Sequence, residues 1–135
     1  MSAEAAFSAA VIAALKADAG VQAALGDPAR VHDLAPRGAA FPYASLGRSE
    51  SEPLDAGGLD LIDHRLTVHV WGRREDRDAV KHALSAARAA LHQADLTLAA
   101  PYACTLCRVV YADLFTGPDG ATLHGVLRVR GLVGE

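Results

Sequence analysis

Between Asp63 and Gly72 the chain alternates without a break, with Leu66, Val68 and Val70 on one side of an extended backbone and Arg65, Thr67, His69 and Trp71 on the other. Such a strand has one apolar face to bury and one mixed face, so it belongs to a sheet covered on one side only. The period then changes. Val80, Leu84, Ala87 and Leu91, widened by Ala83 and Ala90, recur at helical spacing as far as about His92. Asp76 stands where this helix needs a cap, and Arg88 and His92 sit near its C-terminus, where the dipole favours cations.

The remaining segments fit the same two-layer plan. Phe7, Val11, Ala14 and Leu15 mark an N-terminal helix, capped by Ser2 and ended by Gly20, with Val21 to Leu25 as one more short turn before Asp27-Pro28. Short strands are expected at Val31 to Leu34 and Leu96 to Leu98, and longer ones at Tyr43 to Glu50, Ala103 to Phe115 and His124 to Val133. Gly117-Pro118-Asp119-Gly120 is a turn joining the last two, because proline presets one central dihedral and glycine accepts positive φ. Ser51 to Leu61 holds Glu52, Pro53, Asp55, Gly57, Gly58 and Asp60, and reads as a long polar loop. The expected fold is α+β: two layers, a mostly antiparallel sheet with two main helices packed on one face, in a single domain over residues 1–135.

Composition narrows the function classes. The net charge of −3 is too small to steer the chain to nucleic acid or to an anionic membrane, and the longest basic run, Arg73-Arg74, is followed at once by Glu75 and Asp76. No apolar stretch has the roughly 18 residues needed to span a bilayer, and the N-terminus lacks the charge order of a secretory signal, so the chain reads as made and kept in the cytoplasm.

Chemical motifs are sparse. Cys104-Thr105-Leu106-Cys107 has C-x-x-C spacing, but a structural zinc site needs a second pair, and on a regular strand residues three apart face opposite ways. Two packing cysteines are expected. Histidines 32, 64, 69, 82, 92 and 124 form no ligand motif and read as surface or strand-face residues; His64 and His69 should point to opposite faces. Ser45 lacks the first glycine of a nucleophile elbow. The acids Glu50, Glu52, Asp55, Asp60 and Asp63 lack the order of a calcium loop, and no nucleotide-binding glycine motif is present. No catalytic residue, cofactor or metal is expected. Two surfaces read either as solvated, with paired charges, or as contacts: Arg48, Glu50, Glu52, Asp55 and Asp60 around the long loop, and Arg65, Trp71, Arg128 and Arg130 on the mixed sheet face. Arg and Trp are the types enriched at interfaces.

The order of segments resembles that of phage tail completion, or tail terminator, proteins. Ala35-Pro36-Arg37-Gly38-Ala39-Ala40-Phe41-Pro42-Tyr43-Ala44 is similar to the stretch before their second strand, and His64-Arg65-Leu66-Thr67-Val68-His69-Val70-Trp71 to their central strand. The helix Ala83 to Leu91, the turn Gly117 to Gly120 with His124-Gly125-Val126-Leu127-Arg128, and the early Leu15 to Val21 fall in the same order. Such proteins occur in siphophage-like tails and gene transfer agents. The resemblance implies a structural virion protein, placed at the head–tail junction after assembly in the bacterial cytoplasm. It would form a ring, typically a hexamer, that caps the tail tube, stops its polymerisation and joins it to the head connector. The partners implied are further copies of the chain, the tail tube protein and a connector or stopper protein, without direct nucleic-acid recognition and without a membrane. A head-closure or connector component is the alternative of the same size and class; an enzyme would need a polar cleft with perturbed titratable groups, and a generic binding module outside phage is told apart by its gene neighbours.

Overall fold

A computed structural model describes the backbone of residues 1–135 and every side chain except those of Ala56 and Leu59. The first helix, α1 (Ala3–Ala17), starts where the Ser2 hydroxyl accepts a hydrogen bond from the amide of Ala5, and it buries Phe7, Val11 and Leu15. It ends before Gly20. Asp18 adopts an extended backbone and its carboxylate caps α2 (Ala19–Leu25) by accepting from the Val21 amide at 3.0 Å, so Gly20 lies inside the second helix. The two helices meet at 80°.

Five strands follow: β1 (Val31–His32), β2 (Tyr43–Ala56), β3 (Leu59–Arg73), β4 (Ala103–Thr116) and β5 (Thr122–Gly134). Between β3 and β4 lie a 3-10 turn (Arg74–Asp76) and the helix α3 (Arg77–Leu91). The carboxylate of Asp76 accepts from the Arg73 amide at 2.8 Å, which fixes this turn ahead of the helix. The strands form one sheet in the order β1-β2-β3-β5-β4, antiparallel except for the β1–β2 pair. The helices lie on one side of it, and the fold is α+β.

The buried face follows the alternation read from the sequence. Leu66, Val68 and Val70 of β3 and Leu127, Val129 and Val133 of β5 are at most 2% exposed, packed with Phe7, Leu15, Val80 and Leu91 from the helices. Gly131 is glycine because the Phe7 ring lies against its backbone; a Cβ there would collide with that ring.

Three expectations are corrected. Ser51 to Leu61 is not a loop: β2 and β3 continue through it as a hairpin, with Leu54 opposite Leu61 and Asp55 opposite Asp60. The turn is Gly57-Gly58, whose φ angles of 59° and 81° suit a two-residue hairpin connection that only glycine adopts freely. Leu96 to Leu98 is not a strand, although both leucines are buried; the segment finds no partner strand and runs irregularly into the core. The expected strand at Val31 to Leu34 shortens to Val31–His32, and Leu34 is 89% exposed.

Candidate assembly surface

The sheet face opposite the helices is open, and strand register arranges its side chains in rows. At one end Tyr43, Trp71, His124 and Phe115 stand side by side across β2, β3, β5 and β4. Nearer the other end the row reads Glu50, Arg65, Arg130, Arg108.

The aromatic end is stacked. Trp71 lies on His124 with ring centroids 3.9 Å apart and planes 12° from parallel, and Phe115 leans on His124 at 4.8 Å. Nδ1 of His69 is 2.6 Å from Nε2 of His124, so one imidazole donates to the other. The Trp71 indole N–H donates to the Ser45 hydroxyl at 3.1 Å. Burial pushes the pKa of His69 down; burial and then the nearness of His69 do the same to His124. The pair is therefore neutral at physiological pH.

The charged end is a groove of about 630 Å³ lined by Glu50, Glu52, Asp63, Arg65, Tyr111 and Arg128 among others. Asp63, only 6% exposed, accepts from Nε and Nη2 of Arg130 at 3.0 and 3.1 Å, a bidentate pair that holds β3 to β5. Arg128 lies over the Tyr111 ring at 5.2 Å. Arg48 and Glu50 pair at 3.2 Å on the exposed edge of β2.

The structure thus brings Glu50, Glu52, Arg65, Arg128 and Arg130 together on one face, with Trp71 further along it. Arg48 sits at the edge. Asp55 and Asp60 lie apart from them, beside a recess of about 810 Å³ that Pro53, Ile62, Tyr102 and Val133 also line. Sequence reasoning missed Asp63 as the anchor of Arg130, and it missed the exposed side chains Val110, Tyr111 and Phe115 of β4. The last two alternate with Ala112 and Leu114 and were open to the same period-two reading as β3; Val110 was not, because it is the extra residue of a bulge between Val109 and Tyr111.

Two further readings change. His64 is not a surface residue: it is 1% exposed on the helix side, stacked on Phe7 at 5.4 Å, although it does face away from His69 as expected. Cys104 and Cys107 do not face opposite ways. A bulge between Cys104 and Leu106 inserts one residue, so Cys104 pairs with Val133 and Cys107 with Gly131, both on the helix side. Burial raises both thiol pKa values, that of Cys107 to about 12, so both are protonated packing groups. Among the described residues no three of His, Cys, Asp and Glu gather as a metal site.

The family model of the tail completion protein gp17 matches residues 9–134. The chain belongs to this family. The tail completion fold seen here is similar to that of a chain from the virion of a native gene transfer agent (GTA) particle, with a TM-score of 0.87 and 24% identity over 99% of this chain and 98% of that chain. No curated protein matches the chain in sequence.

Proposed function

We propose that this tail completion protein is a terminator. Copies of it close a ring, a hexamer, on the end of a tail tube, stop the addition of tube subunits, and present the surface that a head connector or stopper protein binds. Its place is then the head–tail junction of a virion, reached after assembly in the bacterial cytoplasm. The family membership supports structural work in the tail, and the likeness to a chain of a gene transfer agent virion supports a place in the particle.

The observation that carries the ring is that both outer edges of the sheet are open and unlike each other. Among the described residues β1 pairs only with Ala44 and Ser45 of β2, so β2 has no strand partner on its outer side from Leu46 onward; β4 has none there either, though its outer edge is capped at one place, where the Gln93 amide donates to the Cys107 carbonyl at 2.8 Å and the Val109 amide to Nδ1 of His92 at 3.1 Å. Unlike edges make head-to-tail contacts, and those close into a ring when the rotation between copies allows.

The test is to polymerise the tail tube protein with the purified chain present below stoichiometry. Shortened tubes with ring density at one end are expected. An unchanged length distribution with bare ends would exclude a terminator, and a label that appears only on the head portal would point to a head-closure component.

A further inference from the structure

We infer that the tip of the β2–β3 hairpin of one copy docks against the β4–β5 edge of the next copy, acid to base; this rests on the ring reading above and specifies its contact. The hairpin is an arm. β5 begins to pair with β3 only at Ile62, so Leu54 to Leu61 pair with nothing but each other. Gly134, the last residue of β5, still lies against Leu61, so two residue pairs and a turn project about 7 Å beyond the sheet. From Ser49 to Ile62 the chain carries Glu50, Glu52, Asp55 and Asp60 and no basic residue.

Within the described residues only Glu50 of these four acids has an ion-pair partner. Asp55 and Asp60 stand directly opposite one another across the ladder, a like-charge pair that disfavours the hairpin on its own. A cation from outside the arm would relieve it.

The opposite side of the sheet has the complementary set. β4 and β5 carry Arg108, Arg128 and Arg130 against the single acid Asp113. Arg130 is satisfied by Asp63, whereas Arg108 and Arg128 are exposed and form no ion pair among the described residues. Around them Val110 (49%), Tyr111 (45%) and Phe115 (43%) are among the few large apolar side chains left exposed. Charge and exposed apolar area on one edge are the features of a docking surface.

Glu50 and Glu52 at the base of the arm share a groove with Arg128, but the tip acids Asp55 and Asp60 cannot reach the basic edge within one chain. β3 and β5 separate β2 from β4, three strand spacings or about 14 Å, and the arm points along the strands, away from β4. Tip and edge can meet only between copies, with the arm always on one partner and the basic edge always on the other. That is a heterologous contact.

Sedimentation equilibrium of the full chain tests this. Asp55→Lys with Asp60→Lys, and separately Arg108→Glu with Arg128→Glu, should each weaken self-association by about tenfold or more. The chain carrying all four changes should regain it, because each reversed arm then faces a reversed edge. Raising salt from about 0.1 to about 1 M shortens the Debye length from about 10 to about 3 Å and should weaken the wild-type oligomer, which checks the charge contribution without any substitution. Circular dichroism melting establishes that each variant folds. A monomeric wild-type chain, reversals that leave the oligomer intact, or failure of the fourfold variant to recover would each overturn the inference. Tube capping is read separately. A chain that caps tubes while its reversals have no effect on association keeps the terminator role and loses this contact; a chain that self-associates through the arm but leaves tube length unchanged does the opposite.

Discussion

Trp71 lies flat against His124, 3.9 Å between ring centroids, and His124 in turn shares a hydrogen bond with His69. Three side chains from two strands thereby form one stack on the open sheet face. Trp71 is the only tryptophan of the chain, so its emission reports on this stack alone.

Protonation of His124 places a quenching imidazolium on the indole face. Because burial lowers the pKa values of both His69 and His124 below the ordinary 6.5, Trp71 emission should fall on acidification with its midpoint below pH 6.5. His124→Gln should abolish that fall. A midpoint above 6.5 would contradict the buried, neutral pair.

His64 gives the fold an acid limit. Both ring nitrogens are buried without a hydrogen-bond partner, and burial lowers its pKa from 6.5 against the opposing pull of Glu4 and Asp63. The unfolded chain therefore takes up a proton at a higher pH than the folded one. Stability is whole above pH 6.5 and declines as pH falls from there toward the folded pKa. Urea denaturation at pH 7 and pH 5.5 should show the loss, and His64→Leu should reduce it. The same region carries the aromatic anchor of α1: Phe7→Ala should cost about 3–5 kcal/mol at pH 7, since the cavity would open beneath His64 and Gly131.

Asp119 locks the β4–β5 turn. Its carboxylate accepts from the Thr122 hydroxyl at 2.7 Å and from the amides of Thr122 and Ala121 at 2.9 and 3.0 Å. These bonds hold its pKa down to about 2, against an ordinary 3.8. The stabilisation is present above pH 3.8 and lost as pH falls through about 2. Carbon-detected NMR titration should find the Asp119 carboxyl near that value, and Thr122→Val should raise it.

The arm depends on its turn. Replacing Gly57 and Gly58 by valine forces a β-branched residue into positive φ at each position, at about 1–2 kcal/mol per residue. Amide hydrogen exchange should accelerate between Leu54 and Leu61 while the amides of Leu66 to Val70 remain protected.

Several elements were legible in the chain because their signals are local. The alternation of Leu66, Val68 and Val70, the stripe of Val80, Ala87 and Leu91, the Ser2 cap and the Gly117–Gly120 turn each depend on residues a few positions apart, and the structure places all four as expected. Gly57-Gly58 was equally local, but the charged residues around it masked a hairpin as a loop. Leu96 and Leu98 fit a strand pattern and are buried, yet a strand needs a neighbour to bond with, and that neighbour is not encoded nearby.

What the sequence by itself determined is which side chains turn inward along each segment, since period follows directly from backbone geometry. Only the tertiary structure decided what stands beside what across the sheet: Asp63 under Arg130, Trp71 on His124, Cys104 on the same face as Cys107, and an acidic arm at the opposite edge from Arg108 and Arg128. Those relations depend on register between strands up to 67 residues apart. One inserted bulge residue reverses the facing of everything after it, and no period read along a single strand records that.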